Sequence, residues 1–81
     1  MRTPVVLPDV GASPVALSHW FAGVGDSLFE GERLVEVLAC GATFDVSAPV
    51  TGKLVERLAW PGDVLRPGQV LGVLELERES T

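Results

Sequence analysis

Three side chains with reactive chemistry occur once each in this chain: a thiol at Cys40, an imidazole at His19 and an amine at Lys53. Cys40 lies in VLACGATFDV, residues 37–46, beside a glycine and between two apolar runs. A thiol at such a place could be acylated, oxidised or bridged to a partner, and it could equally be a small residue accommodated in a turn. His19 has no Cys, His, Asp or Glu at metal-ligand spacing, so a surface histidine on a strand is expected and no metal site. Asp26, Glu30, Glu32 and Glu36 form an acidic stretch, read as a solvated face, with a docking patch as the alternative. A single histidine in so short a chain cannot assemble a nucleophile–base–acid arrangement, and no glycine-rich loop opens a helix. No catalytic residue is expected.

The elements that hold these residues are strands. Proline or glycine interrupts nearly every window of ten residues, and apolar residues cluster in runs of four to six, so helical periodicity finds no room. Strands are expected at Thr3–Leu7, Val15–Phe21, Arg33–Leu38, Thr43–Ser47, Gly52–Leu58 and Val70–Glu77, with shorter extended pieces at Ser27–Leu28 and Val64–Leu65. The segments between them, PDVGAS, GVGD, FEGE, ACGA, APVTG, WPGD and RPGQ, carry turn chemistry. In ACGA, a glycine following Cys40 suits the second central position of a type II or type I′ turn, where φ is positive. An all-β sandwich or flattened barrel follows.

The chain also repeats. Setting Gly25-Asp26 over Gly62-Asp63 gives an offset of 62 − 25 = 37, and the same offset brings Gly31 onto Gly68, Leu34 onto Leu71, Phe21 onto Leu58 and Leu28 onto Leu65. Two similar halves facing one another about a pseudo-twofold axis would each close the apolar face the other leaves open.

Composition bounds the rest. The chain has 81 residues, 47% of them hydrophobic and 21% charged, which is enough apolar surface for one small folded domain and no more. Six basic residues and a net charge of −5 argue against nucleic acid or an anionic membrane, both held mainly through Lys and Arg, and favour a protein partner. One cysteine excludes an internal disulfide, so a reducing, cytoplasmic compartment is expected. No apolar run approaches the ~18 residues of a membrane span. Residues 1–78 are expected to form the domain and 79–81 a short charged tail.

Taken in order, three segments resemble the biotinyl/lipoyl domain family, the small carrier domains of 2-oxo acid dehydrogenase complexes and biotin-dependent carboxylases. VVLPDVGAS resembles the family's opening strand, LSHWFAGVGDSLFEGERLVEVL the strand, Gly-Asp turn and strand before the attachment hairpin, and ATFDVSAPVTGKLVERLAWPGDVLRPGQVLGVLE the second half. The resemblance implies two four-stranded antiparallel sheets in a flattened barrel-sandwich with pseudo-twofold symmetry. It also implies a lysine at the hairpin tip that carries lipoate or biotin through an amide.

Here the chain departs from its family. The lipoyl pattern Asp-Lys-Ala and the biotinyl pattern Ala-Met-Lys-Met, set between VEVL and APVTG, place that lysine at Gly41, within a tip of Cys40, Gly41 and Ala42. The aspartate of the lipoyl pattern falls on Cys40. Lys53 follows APVTG, twelve residues further on (53 − 41), where a lysine pointing to solvent is expected. The reading is therefore a domain without bound lipoate or biotin: a non-catalytic interaction or assembly module whose implied partner is a 2-oxo acid dehydrogenase or carboxylase component. Two alternatives stand beside it. One is a carrier of acyl or carboxyl groups working through Cys40 or by non-covalent capture. The other is the lipoyl-like part of an efflux adaptor, for which the expected coiled coil and export signal are missing.

Overall fold

A computed structural model describes residues 1–77; the expected tail at 79–81 lies outside the described residues. All regular structure among those residues is extended. The strands are β1 (Arg2–Val6), β2 (Val15–Trp20), β3 (Ser27–Leu28), β4 (Arg33–Ala39), β5 (Ala42–Ser47), β6 (Gly52–Arg57), β7 (Val64–Leu65) and β8 (Val70–Leu76). Each expected strand is present, with ends that differ by at most one residue. The short β3 and β7 fall on the expected residues. Ala39 and Ala42 join their strands because the turn between them is only two residues long, which lets them pair directly.

The strands form two antiparallel four-stranded sheets, ordered β1-β8-β6-β3 and β5-β4-β2-β7. Each repeat unit, β2–β5 on one side and β6–β8 together with β1 on the other, supplies three strands to one sheet and lends its short strand to the other: β3 pairs with β6, and β7 pairs with β2. The 37-residue offset holds in three dimensions, carrying Val15 to Gly52, Ser27 to Val64 and Arg33 to Val70 at the starts of corresponding strands. It also carries the irregularity in β2 between Leu17 and His19 onto that in β6 between Leu54 and Glu56. Each is one extra residue that bends its strand.

The turns repeat down to single hydrogen bonds. Gly23 N–H donates to the Asp26 carboxylate (2.8 Å) while Asp26 N–H donates to the Gly23 carbonyl (3.0 Å), and 37 residues on, Trp60 and Asp63 do the same at 2.9 and 3.0 Å. The Glu32 carboxylate accepts from Phe29 N–H at 2.8 Å, and the Gln69 side-chain oxygen accepts from Arg66 N–H at 2.9 Å. A side chain that bonds back three residues satisfies a backbone donor the sheet cannot reach. Asp26 and Glu32 are thus turn-forming residues, which narrows the acidic stretch read from the sequence.

The long strands turn aliphatic side chains inward, least so the edge strand β5, in which Val46 alone is buried. Leu34, Leu54, Leu71 and Leu74 are fully buried, joined by Val5, Leu7, Val15, Leu17, Val35 and Val37. No polar or charged residue among those described is buried. Burying an aliphatic side chain of this size contributes about 1.5–3 kcal/mol. The two halves are also joined through Trp20, a buried side chain at the end of β2 whose indole N–H donates to the Ala59 carbonyl at 2.9 Å.

Candidate functional site

The candidate site is the tip of the β4–β5 hairpin. Register runs from Val35↔Val46 through Val37↔Phe44 to Ala39↔Ala42, so the turn consists of Cys40 and Gly41 alone. Both have positive φ, 50° and 75°, and Cys40 is the one non-glycine residue with positive φ among those described. Positive φ at both central residues defines a type I′ turn, whose twist matches that of the strands it joins. Of the two turn types open to the sequence, this is the one adopted. A left-handed conformation costs a residue with a Cβ about 1–2 kcal/mol, so Cys40 is held there by the hairpin rather than by its own preference.

Cys40 is exposed, with its sulfur 4.0 Å from the Ser13 carbonyl oxygen in the segment leading into β2. A Cβ built on Gly41 would meet nothing within 4 Å. The tip therefore offers a thiol, an open glycine position and the methyl of Ala42, and no amine. Lys53 is in the other sheet, exposed on β6 and paired across the strands with Ser27 and Glu75.

His19 is exposed on β2, its ring packed edge-on against Phe21 at 5.1 Å between centroids. Arg33 stacks on the same phenylalanine, 4.5 Å from its centroid, and lies 3.8 Å from the Asp45 carboxylate. Glu36 accepts a hydrogen bond from the Ser18 hydroxyl at 2.9 Å. Among the described residues, no three His, Cys, Asp or Glu side chains converge as metal ligands would. The sequence reading missed the turn bonds of Asp26, Glu32, Asp63 and Gln69. Their signal was present in the repeat, which places Glu32 over Gln69 as well as Asp26 over Asp63.

A scaffold of two sheets that exchange their short strands, presenting a single tight hairpin between β4 and β5 at the edge of the second sheet, is a barrel-sandwich domain of the carrier type. Residues 3–74 match the family described as "Biotin-requiring enzyme", and the chain belongs to this biotinyl/lipoyl family. The lipoamide acyltransferase component of the branched-chain alpha-keto acid dehydrogenase complex of Pseudomonas putida is 35% identical over 80 residues, covering 95% of this chain and 19% of that protein. The corresponding component from Pseudomonas aeruginosa is 38% identical over 80 residues, with the same coverage. The dihydrolipoyllysine-residue succinyltransferase component of the 2-oxoglutarate dehydrogenase complex of Bartonella vinsonii is 34% identical over 77 residues, covering 93% of this chain and 19% of its own. The chain thus spans about a fifth of the length of these relatives.

Among solved structures, the lipoyl domain of the 2-oxoglutarate dehydrogenase complex from Azotobacter vinelandii has the same fold, with a TM-score of 0.66 at 20% identity over 93% of this chain and 92% of that one. A segment of a single-chain, multi-domain long-chain acyl-CoA carboxylase gives 0.78 at 21% identity, covering 98% of this chain and 7% of that protein.

Proposed function

We propose that this chain is a lipoyl-type domain that carries no lipoate or biotin and serves as a non-catalytic interaction or assembly module for a 2-oxo acid dehydrogenase or carboxylase complex. One observation carries the reading. The tip where the family's attachment lysine is expected is closed by Cys40 and Gly41, and the chain's single lysine is in the opposite sheet. Attachment of either group forms an amide between its carboxyl carbon and a nucleophilic amine, and Gly41 has no side chain to supply one. The residues present at the tip do not fit the group. The relatives named above are components of dehydrogenase complexes, which supports a partner of that kind.

The test is the intact mass of the chain after co-expression with lipoate and biotin ligases. The mass of the unmodified sequence is expected; a gain of one lipoyl or biotinyl group on Lys53 would overturn the reading. A second reading, group carriage through Cys40, draws on the exposure of that thiol at the tip. It requires that Cys40→Ser abolish partner binding or transfer, whereas an assembly module keeps its partner when the sulfur is replaced.

A further inference from the structure

The pseudo-twofold gives this molecule an internal reference, because equivalent positions on its two outer faces can be compared at one place in the pleat. On the β5-β4-β2-β7 sheet, Thr43 pairs with Leu38, Leu38 with Ala16 and Ala16 with Val64, a row of four cross-strand neighbours. All four point away from the core, since they alternate with the inward Val15, Val37, Ala39 and Leu65. Leu38 is 43% exposed and Val64 71%. The row lies one register step from the Ala39–Ala42 pair that closes the hairpin tip.

The same row on the other sheet is built differently. The 37-residue offset carries Ala16 to Lys53, Leu38 to Glu75 and Val64 to Ser27, and Arg2 pairs with Glu75 at the outer strand. Those residues are charged or polar, and Arg2 bridges Glu75 and Glu56 at 3.4 and 3.5 Å. The fold itself therefore does not require apolar side chains at this row. On the tip side Leu38 and Val64 stand open to solvent beside a half-buried Ala16, an exposure that adds nothing to the core.

Their surroundings define what could cover them. The next outward row holds Asp45, Glu36 and His19, so two carboxylates border the aliphatic side chains on a molecule of net charge −5. Arg33 approaches Asp45 from one side, and Glu36 accepts only the Ser18 hydroxyl. A second copy of the chain would bring another face bordered by carboxylates, on a molecule of the same net negative charge, with its nearby Arg33 already beside Asp45. The row is also one residue deep and only about 14 Å long across four strands, so the area it offers is far below the ~800 Å² per partner of a stable interface. We infer that the Thr43–Leu38–Ala16–Val64 row is a docking surface for a different protein, one that presents aliphatic side chains rimmed by lysine or arginine, in a contact that forms and releases readily. This rests on the interaction-module reading and names the surface through which that module works.

Two soluble peptides serve as probes, one alternating Leu with Lys and the other Leu with Glu, titrated into ¹⁵N-labelled chain. The Leu/Lys peptide is expected to shift the amides of Ala16, Leu38, Thr43 and Val64 and their neighbours, and the Leu/Glu peptide to leave them in place. Leu38→Ser and Val64→Ser should each weaken the Leu/Lys peptide by about tenfold, the size of effect that losing one apolar contact produces. Ser27→Ala and Lys53→Ala, at the equivalent row, should change it less than about twofold on the same scale. Val64 is exposed enough that its serine variant will fold, and the dispersion of the amide spectrum verifies this. Shifts centred on the Arg2–Glu75–Lys53–Ser27 row, equal response to both peptides, no response to either, or concentration-dependent dimerisation through the row would each overturn the inference. A mass gain at Lys53 would overturn the unmodified-module reading and leave this map standing, because Lys53 lies on the other sheet.

Discussion

Cys40 and Gly41 close the β4–β5 hairpin in a type I′ turn whose tip offers a thiol and no amine. A type I′ turn accepts glycine at no cost and tolerates asparagine better than any other residue with a Cβ, whereas cysteine has no preference for the left-handed region. Cys40→Asn should therefore stabilise the domain by up to about 1 kcal/mol, read as a rise in Tm of about 4–8 °C for each kcal/mol in a domain of this size. Gly41→Lys has the opposite sign. Its Cβ enters open space, so nothing clashes, but φ at 75° strains it by about 1 kcal/mol and Tm should fall by a few degrees. The same variant restores an amine to the tip, and lipoylation or biotinylation of the folded protein is expected on co-expression with the ligases, read by intact mass. A folded Gly41→Lys protein that neither ligase modifies would show that the hairpin is not presented as the family presents it.

Strands and turns were more legible than faces. Runs of four to six apolar residues punctuated by glycine and proline announce strands because each residue type acts locally, and even the two-residue β3 and β7 fall where the same reading puts them, between glycine turns. The hairpin tip was legible for the same reason: Gly41 is needed where φ is positive. What went unread was the work done by side chains across a turn, which only the recurrence of Asp26 at Asp63 and of Glu32 at Gln69 hints at. Asp26 and Glu32 look like any solvated carboxylates until the backbone donors of Gly23 and Phe29 are seen 2.8 Å from them. The apolar row was hidden as well, because Leu38 and Val64 count towards hydrophobicity whether they face the core or solvent. If the turns are equivalent, Asp26→Ala and Asp63→Ala should each cost about 1 kcal/mol and add when combined, as lost turn bonds at separated sites do; chemical denaturation of the two single variants and the double checks this. Gly52 is a different case. A Cβ there would collide with the Glu75 backbone carbonyl in the neighbouring strand, so Gly52→Ala is expected to abolish folding or shift β6 against β8, lowering amide dispersion.

The exchange of β3 and β7 makes the molecule one cooperative unit, since each sheet takes its fourth strand from the opposite half. Neither half can bury its apolar face alone, and Trp20 ties β2 of the first half to Ala59 of the second. A fragment of residues 1–49 should accordingly lack a dispersed amide spectrum, and adding residues 50–81 in trans should restore it. Whole-chain unfolding should be all-or-none, with backbone circular dichroism and tryptophan fluorescence giving coincident transitions. The pairing of β1 with β8 has a more distant consequence. The pseudo-twofold sets β8 beside β1 as it sets β4 beside β5, and Leu76 N–H already donates to the Met1 carbonyl at 2.9 Å. The paired ends of β8 and β1 in one sheet thus correspond to the ends of β4 and β5 that the Cys40-Gly41 turn joins in the other. A circular permutant joined from residue 77 to Met1 by a short glycine linker and opened between Cys40 and Gly41 should fold to the same two sheets, with its new ends emerging where the parent displays its tip.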